Sequence, residues 1–290
     1  MKIKALAAGA LAIAALSSCS EKKQETTDYT LNVEIEDAGA NGTMAYLTDF
    51  DSGNVMDSVI ITDGKAVFTG SILEPTVVRL SVNGNRGAML ILEGGETTYK
   101  NGQAISTLND KYQAFVKDYS NRRDSLYALI DSTMTESEQE AFYRLSQLHL
   151  DSVVSETMVA NIYNPIGYMI LLQKAFDMEA DKFQKILKDY PHLTKFQRID
   201  KIKKSFDARE ATSAGKPYTD FEIEYNGATT KLSDYVKPGQ YTLVDFWASW
   251  CGPCKREIGV IKQLYNKYHS KGLNVVGVAV WEDPEQTQAY

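Results

Sequence analysis

Two cysteines near the carboxyl end, Cys251 and Cys254, are the residues whose type and spacing most directly suggest chemistry. They lie in the stretch LVDFWASWCGPCKRE, residues 243–257, with only Gly252 and Pro253 between them. A disulfide that closes so short a loop removes little entropy from the unfolded chain, so it is a poor structural staple. The pair therefore predicts redox chemistry, or metal binding if further ligands exist elsewhere in the chain.

The sequence around the pair predicts a strand, a turn and a helix. Residues 241–248, YTLVDFWA, and 273–281, LNVVGVAVW, are apolar runs of the kind found in parallel strands that are covered on both faces. Between them, side chains recur at steps of three and four residues, at Cys254, Ile258, Ile261, Tyr265 and Tyr268. This period is that of a helix that packs one stripe on a sheet. We therefore predict a right-handed βαβ unit with the cysteines at the turn from strand to helix.

A cysteine at the start of a helix is well placed to act as a nucleophile. The amino terminus of a helix carries partial positive charge and free N–H groups, which stabilise a thiolate and lower the thiol pKa from ~8.5 toward ~7 or below. Cys251 is therefore predicted to attack a substrate disulfide. Cys254, one helical turn further on, is predicted to resolve the mixed disulfide that results. Pro253 suits the first turn of a helix, where a missing N–H has no consequence.

Two carboxylates are candidate proton partners for the dithiol. Asp245 is the one acid within the first apolar run, six residues before Cys251. A buried carboxylate has a raised pKa and can accept a proton from Cys254, whereas an Asp that escapes at a strand edge has no such role. Glu257 lies one helical turn beyond Cys254, where it is either a second proton carrier or an ordinary surface residue.

Metal sites and organic cofactors find little support in the sequence. A zinc site would need two ligands besides the cysteines, but the three histidines, His149, His192 and His269, are isolated from one another. The stretch DFDSGN, residues 49–54, departs from the ligand order of an EF-hand loop and is better explained as a hairpin tip. We therefore expect no metal, and no cofactor other than the redox-active disulfide itself.

The amino terminus has the pattern of an export signal followed by a lipid attachment site. Lysines precede a short apolar run, residues 5–16, that is too short to span a bilayer. The Leu-Ser-Ser-Cys sequence that follows resembles the lipobox of bacterial lipoproteins. We predict a signal peptide over residues 1–18 and, over residues 19–28, a lipidated Cys19 with a flexible tether. A plain secretory signal with an incidental cysteine is the alternative.

The next part of the chain, residues 29–105, shows the alternation and turn residues of short β-strands. Asp63 and Gly64 stand between two apolar triplets and predict a two-residue hairpin, because such turns need positive φ. We expect an antiparallel β-sandwich.

Residues 106–211 change to a helical period and predict four or five helices. Three helix starts have local signals: Thr135 with Glu138, Thr194 with Gln197, and Asn164 with Pro165. A basic run between Lys195 and Lys204 is predicted to be a solvated helix face. The formal net charge of −7 also argues against binding to a phosphate backbone, so no nucleic acid partner is expected.

Four stretches resemble known families. VDFWASWCGPCK, residues 244–255, resembles the thioredoxin active site nearly residue for residue, and residues 215–235 resemble the hairpin that leads into the TlpA/ResA branch of the AhpC/TSA-thioredoxin superfamily. Residues 57–70 and 91–95 are similar to a β domain of unknown function that precedes thioredoxin domains in bacterial envelope lipoproteins. The resemblance implies a multidomain chain with a β-sandwich, a helical region and, over residues 212–290, an α/β thioredoxin-like domain.

The resemblance also implies a thiol-disulfide oxidoreductase. In it, Cys251 would be the attacking cysteine and Cys254 the resolving one. Asp245 would be the buried acid of thioredoxins, and Glu257 the acid that follows the motif in ResA-like proteins. Trp250 would shape the exposed side of the dithiol.

The implied partners and location follow from the same resemblance. The Gly-Pro pair is similar to that of reducing thioredoxins, so we expect a reductase of exported proteins that bear disulfides, recharged by a membrane thiol-disulfide electron donor. The lipid on Cys19 would anchor it to a membrane of the bacterial cell envelope, facing the periplasm.

Two other functions stay open at this point. A peroxiredoxin-like thiol peroxidase is disfavoured, because its pattern needs Thr or Ser three residues before the nucleophile, where Ala248 stands. The other is a binding lipoprotein whose function lies in the β and helical regions, with a vestigial thioredoxin-like domain.

The chain departs from the family pattern in two respects. Gly259 occupies a position where the family usually has a helix-kinking proline. A thioredoxin fold also continues with a cis-proline strand, a further strand and a final helix, whereas 36 residues follow Cys254 (290 minus 254). We therefore expect the thioredoxin-like domain to be incomplete at its C-terminus, with strand edges left uncovered.

Overall fold

The computed structural model describes residues 25–82, 87–131, 133–225 and 227–281. The chain forms two compact units, and the boundary falls between Phe206 and Asp207. The predicted signal peptide, Cys19 and most of the tether lie outside the described residues. In the part of the chain that is described, no helix is both long enough and apolar enough to cross a membrane.

The described part of the first unit begins with eight strands. They are β1 (Thr27–Glu34), β2 (Met44–Asp49), β3 (Val55–Ile60), β4 (Lys65–Ile72), β5 (Thr76–Val82), β6 (Ala88–Leu92), β7 (Gly95–Lys100) and β8 (Gln103–Ile105). Two four-stranded sheets result, in the orders β4-β1-β7-β8 and β3-β2-β5-β6. Buried side chains of both sheets, including Leu31, Phe68 and Leu47, form one hydrophobic cluster. Burial of these apolar side chains holds the two sheets together.

The prediction of a purely antiparallel arrangement is wrong at one pair of strands. β1 and β7 pair in parallel, from Tyr29 opposite Gly95 to Val33 opposite Tyr99. The chain between them contains all four strands of the second sheet, and so long a connection can return a strand in either direction, unlike a tight hairpin.

The predicted turn at Asp63-Gly64 forms, but it joins the two sheets. Asp63 and Gly64 have φ values of 51° and 70°, as a two-residue turn of this kind requires. The strands that flank the turn, β3 and β4, belong to different sheets. Ile61, which is buried beside the turn, anchors this corner in the core.

Five α-helices follow in the described residues, within the predicted number. They are α1 (Thr107–Tyr127), α2 (Glu136–Ala160), α3 (Pro165–Lys174), α4 (Ala180–Asp189) and α5 (Gln197–Ala211), with a 3₁₀ turn at Pro191–Lys195 before α5. Leu171, Phe183 and Ile199 form a second hydrophobic cluster with Val77 and Ile91 of the second sheet. Since these two strand residues alternate with residues of the first cluster, the helices pack on the opposite face of that sheet.

A helix residue covers the edge of the second sheet. Asn109 of α1 is buried, its amide oxygen accepts from the backbone N–H of Ile91 over 2.9 Å, and its amide nitrogen donates to the carbonyl of Ile91 over 2.7 Å. The side chain therefore makes the two hydrogen bonds that a further strand would make to β6, which protects this edge from pairing with another chain.

Two of the three predicted helix caps are confirmed. Thr135 Oγ1 accepts from the N–H of Glu138, and the Glu138 carboxylate accepts from the N–H of Thr135 over 2.8 Å, which completes a capping box. Asn164 Oδ1 accepts from the N–H of Ile166 over 2.9 Å, at the start of α3. Each of these caps depends only on neighbours in the sequence.

The third predicted cap, Thr194 with Gln197, is wrong. Thr194 Oγ1 donates to the carbonyl of Pro191 within the 3₁₀ turn, over 2.8 Å. Asp51, from the loop after β2, takes the capping role instead, because its carboxylate accepts from the N–H of Gln197 over 2.7 Å and of Arg198 over 3.0 Å. The loop predicted as a hairpin tip thus also ties the sheet to α5.

The second unit contains a hairpin and a strand-helix-strand segment. Its elements are β9 (Glu222–Tyr225), β10 (Ala228–Lys231), β11 (Tyr241–Trp247), α6 (Gly252–Tyr268) and β12 (Leu273–Ala279). β9 and β10 pair antiparallel about the turn at Gly227, which has a φ of 74°, while Asn226 lies outside the described residues. β11 and β12 pair in parallel from Tyr241 opposite Leu273 to Trp247 opposite Ala279, so the predicted βαβ arrangement forms.

The hairpin is held to the two parallel strands by side-chain contacts. Asn274 Nδ2 donates to the carbonyl of Tyr235 over 3.0 Å, and the rings of Phe221 and Phe246 lie 6.1 Å apart. At the end of the hairpin, Ser233 donates to Asp220, and these hydrogen bonds hold the pKa of the Asp220 carboxyl below its ordinary value. The hairpin is thereby fixed beside the strand that leads to the cysteines.

The predicted apolar stripe of α6 is only partly covered. Ile258 and Ile261 are half-buried, Tyr265 is 43% exposed, and no residue of this helix is fully buried. The physical reason is that the sheet beneath it has two strands in the described residues, which is too little surface to cover a helix stripe.

Candidate active site

The two cysteines lie where β11 ends and α6 begins, as predicted. They form a disulfide, with 5.3 Å between their Cα atoms. Cys251 is the N-cap residue of α6, in an extended conformation with φ −81° and ψ 96°, and its carbonyl accepts from the N–H of Lys255 over 3.1 Å. Pro253 stands in the first helical turn and is exposed. The local sequence favours this geometry, because the first turn of a helix tolerates a proline, whose missing N–H would have no partner within the helix there.

Hydrogen bonding at this helix start is directed at the sulfur of Cys251. The N–H of Cys254 donates to Cys251 Sγ over 3.2 Å. A helix amino terminus leaves its first N–H groups without partners inside the helix and carries partial positive charge. A sulfur at the N-cap position therefore lies where a thiolate is stabilised.

Arg256 adds positive charge to this end of the helix, and the sequence reasoning missed it. Its guanidinium nitrogen lies 3.8 Å from the point that a Cβ on Gly252 would occupy. The first turn of α6 contains no acidic residue that would offset this charge. The signal in the sequence was the pair of basic residues directly after the second cysteine, which is typical of an electropositive thiol site.

Access to the disulfide is partial. Cys251 and Cys254 are half-buried, while Ala248 and Ser249, in the turn before them, are buried. The N–H of Cys251 donates to the carbonyl of Ala248 over 3.0 Å, which closes that turn. The sulfur atoms are thus held on a fixed turn yet have an exposed side.

Two tryptophans border the exposed side of the site. Trp250, which was predicted there, is 65% exposed, and Trp281, which was not, is 85% exposed. Trp250 Nε1 donates to the carbonyl of Trp281 over 3.3 Å. Trp281 has a φ of 54°, a left-handed conformation that is unfavourable for a bulky residue and marks a candidate functional position.

Asp245 is less buried than the sequence predicted. Asp245 lies in β11 opposite Gly277 of β12, and its side chain is half-buried. No hydrogen bond to its carboxylate is formed by the residues that the structure describes. The reason is structural, since β11 has one paired neighbour among those residues and therefore one open edge. Glu257 is exposed on α6, which agrees with its reading as a surface residue.

A close packing contact fixes the end of β11. A Cβ on Gly277 would lie 3.3 Å from Trp247 Nε1, so the indole ring lies against the glycine backbone. Trp247 and Asp245 are two residues apart on one strand and share a face. A glycine in β12 therefore makes room for the aromatic ring that precedes the cysteine turn.

Comparison with known families agrees with this geometry. A profile described as the AhpC/TSA family matches residues 214–290, and one described as a domain of unknown function (DUF4369) matches residues 29–105. No solved structure gave a significant match.

Curated relatives match the carboxyl-terminal part of the chain. Thiol-disulfide oxidoreductase ResA of Bacillus subtilis is 35% identical over 78 residues, which covers 27% of this chain and 42% of the relative. The ResA proteins of Oceanobacillus iheyensis and Geobacillus kaustophilus are each 33% identical, over 79 and 78 residues, covering 26% and 27% of this chain and 40% and 44% of the relative. The chain thus spans less than half the length of these relatives. Residues 214–290 thus match the AhpC/TSA family and are similar to thioredoxin-like proteins of the TlpA/ResA type.

Proposed function

We propose that this protein is a thiol-disulfide oxidoreductase of the bacterial cell envelope that acts through Cys251 and Cys254. The observation that carries the proposal is the disulfide at the start of α6, with Cys251 at the N-cap and its sulfur accepting a hydrogen bond from Cys254. A disulfide between residues three apart closes a very short loop and therefore adds little to the stability of the fold. A redox role explains it better than a structural one. The similarity to proteins named ResA supports the same reaction.

The reaction begins with both cysteines reduced. The Cys251 thiolate attacks one sulfur of a substrate disulfide, the S–S bond breaks, and the other substrate sulfur leaves as a thiolate that takes up a proton. Cys254 then loses its proton and attacks Cys251 Sγ, which releases the second substrate thiol and leaves the Cys251–Cys254 disulfide. The substrate gains two electrons and two protons, and the protein dithiol loses them.

We propose that the protein acts as a reductase of exported proteins. An external dithiol donor at the membrane would then restore Cys251 and Cys254 to the reduced form. Positive charge at the start of α6, from the helix and from Arg256, stabilises the Cys251 thiolate and so raises the fraction of Cys251 that can attack a substrate disulfide. The direction of the exchange is set by the potential of the donor that restores the dithiol. Half-burial of Asp245 is compatible with a role in moving the proton of Cys254, although the two groups share no hydrogen bond in the oxidised form.

The activity is tested by reduction of insulin disulfides with a dithiol donor, followed by the turbidity of the released chain. The wild-type protein should accelerate the reaction, and Cys251→Ser should bring the rate to that of the donor alone. Cys254→Ala, mixed with insulin after reduction and removal of the donor, should instead accumulate a covalent complex with insulin that is dissociated when a reductant is added. Equal rates for the wild-type and Cys251→Ser proteins would exclude the proposed function.

The proposed location rests on residues 1–19. A charged start, a short apolar run and a cysteine after small residues are the pattern of a lipid-anchored exported protein. Mass spectrometry of the amino-terminal peptide of the mature protein should identify Cys19 as its first residue, carrying a lipid. A different first residue, or an unmodified Cys19, would contradict lipid anchoring while leaving the redox activity open.

A further inference from the structure

A pocket of about 450 Å³ lies in the first unit, away from the cysteines. Its walls come from the sheet, at Phe50 and Met89, and from helices α1, α3 and α5. Pockets that bind small molecules have volumes of ~300–1,000 Å³ and apolar walls with a few polar groups. The size and composition of this pocket are those of a ligand site.

One wall is formed by apolar side chains that follow helical spacing. Met169 and Leu172 lie on α3, and Phe176 follows just after the helix ends. Tyr112 of α1 faces the same space. Phe176 is 78% exposed at the rim, and the exposure of so large an apolar ring to water is unfavourable unless something covers it.

The opposite wall places two cations beside this apolar surface. Arg198 and Lys201 lie three residues apart on α5 and therefore project on one side of it. The guanidinium carbon of Arg198 lies 4.0 Å from the centre of the Phe50 ring, and its Nε donates to the Phe50 carbonyl over 2.6 Å. The pocket has a fixed cation at its wall, next to an aromatic face.

The side chains of these two cations form no ion pair among the residues that the structure describes, although the backbone N–H of Arg198 donates to the Asp51 carboxylate over 3.0 Å. Neither Arg198 nor Lys201 forms an ion pair there, and the pocket is lined by no Asp or Glu. Neighbouring cations differ, since Lys195 pairs with Glu74 and Lys204 pairs with Asp200 over 2.7 Å. The positive charge left at the pocket is complementary to an anion.

We propose that this pocket binds an amphiphile with an aliphatic chain and one anionic head group, of the fatty-acid class. The chain lies against Met169, Leu172 and Phe176, and the carboxylate lies between Arg198 and Lys201. An apolar chain accounts for the apolar walls, and a single negative charge accounts for the two unpaired cations. A neutral apolar molecule would leave the cations unused, and a cationic amphiphile would be repelled by them.

The test is calorimetric titration of the protein with decanoate, with decan-1-ol and decyltrimethylammonium as ligands of matched chain length. Decanoate should bind, and each of the other two should bind at least about 10-fold more weakly, because neither carries a negative charge that can pair with the two cations. Equal affinity for decanoate and decan-1-ol, preference for the cationic ligand, or no binding of decanoate would overturn the proposal.

Variants locate the site. Lys201→Gln should weaken decanoate by about 10-fold and leave decan-1-ol unchanged, whereas Phe176→Ala should weaken both by about 5-fold through lost apolar contact. Lys204→Gln, on the same helix but away from the pocket, is the matched control and should change neither. Circular dichroism checks that each variant is folded. Unchanged decanoate affinity in folded Lys201→Gln would contradict the assignment.

Discussion

The backbone N–H of Cys254 donates to Cys251 Sγ over 3.2 Å, so the residue proposed to resolve the mixed disulfide also stabilises the sulfur proposed to attack. This bond uses the backbone of Cys254 and not its thiol. A substitution that removes the Cys254 side chain therefore keeps the donor, and it separates the two roles of this residue. Stabilisation of Cys251 should survive, and resolution of the mixed disulfide should not.

The reactivity of Cys251 is therefore testable in the Cys254→Ala protein. We expect the rate of alkylation of Cys251 to rise with pH through a midpoint below the ~8.5 of a free cysteine, because the helix start stabilises the thiolate. Iodoacetamide modification, followed by mass spectrometry across a pH series, measures this midpoint. Arg256→Gln should move the midpoint upward, and Lys262→Gln, further along α6, is the charge control. A midpoint at ~8.5 in the parent variant would count against thiolate stabilisation.

Trp281 should contribute to the binding of polypeptide substrates. Its ring is exposed beside Trp250, and truncation of an aromatic side chain at an interface typically costs ~1 kcal/mol or more, or about 5-fold in affinity. We expect Trp281→Ala to raise the KM for insulin with little change in kcat, and to leave the reduction of a small aromatic disulfide unaffected. An equal loss with both substrates would indicate damage to the dithiol itself.

Sequence reasoning succeeded where structure depends on neighbours in the chain. Four features that were predicted correctly each involve residues within a few positions of one another. They are the alternation of the strands, the period of the helices, the turn at Asp63 and the cap at Thr135. It failed where a distant residue decides the outcome. The cap of α5 is Asp51 and not the predicted Thr194. Asp51 lies 146 positions before Gln197, from whose N–H it accepts a hydrogen bond, and no local pattern signals such a contact.

At the candidate site, too, features that depend on neighbours in the sequence were predictable, and features that depend on distant residues were not. The positions of Cys251, Cys254 and Pro253 were predictable because they depend only on where one helix starts. The burial of Asp245 was less predictable. It depends on how many strands flank β11, and not on the apolar run that contains Asp245. The pocket beside Arg198 forms only when five separate segments of the chain come together, and from the sequence alone its cations were predicted to be a solvated helix face.

Asp51 should stabilise the first unit by more than an ordinary surface acid. Its carboxylate accepts from the Tyr168 hydroxyl over 2.6 Å as well as from the N–H groups at the start of α5. Asp51→Ala removes a helix cap and leaves a buried hydroxyl without a partner, so we expect a loss of about 2–4 kcal/mol in the free energy of unfolding. Urea denaturation followed by circular dichroism measures it. Asp51→Asn, which keeps acceptor oxygen, should lose less, and equal losses would argue against the capping role.

The Asp51–Tyr168 hydrogen bond should also make stability depend on alkaline pH. Burial, and then the hydrogen bond to Asp51, raise the pKa of Tyr168 above its ordinary value. The folded state therefore holds this proton more tightly than the unfolded state. The resulting stabilisation is complete below pH ~10 and is lost as the pH rises further.

Comparison with Tyr168→Phe checks this dependence. The variant should lose stability less steeply than the wild type between pH ~10 and ~11.5 in urea denaturation. The decrease of the free energy of unfolding with pH should not vanish in Tyr168→Phe, because burial raises the pKa of Tyr112 and Tyr29 as well. Identical slopes in the two proteins would show that Tyr168 does not carry this linkage.

Two helical glycines should respond to alanine in opposite directions. On Gly167, in α3, a Cβ would lie 2.3 Å from the backbone oxygen of Asn161, a contact that flexible side chains cannot relieve. On Gly259, inside α6, a Cβ would meet nothing within 4 Å. Gly167→Ala should therefore lower the stability of the first unit by at least about 1 kcal/mol. Gly259→Ala should raise the stability of the second unit by about 0.5–1 kcal/mol.

The positions of the tryptophans allow the two units to be followed separately in this experiment. All three tryptophans of the chain, Trp247, Trp250 and Trp281, lie in the second unit, so their fluorescence reports its unfolding, whereas amide hydrogen exchange of α3 reports the first. Gly259→Ala should shift only the fluorescence transition to higher urea, and Gly167→Ala should increase exchange only in the first unit. A stabilising effect of Gly167→Ala would mean that α3 can move away from Asn161, and would remove the reason for a glycine at that position.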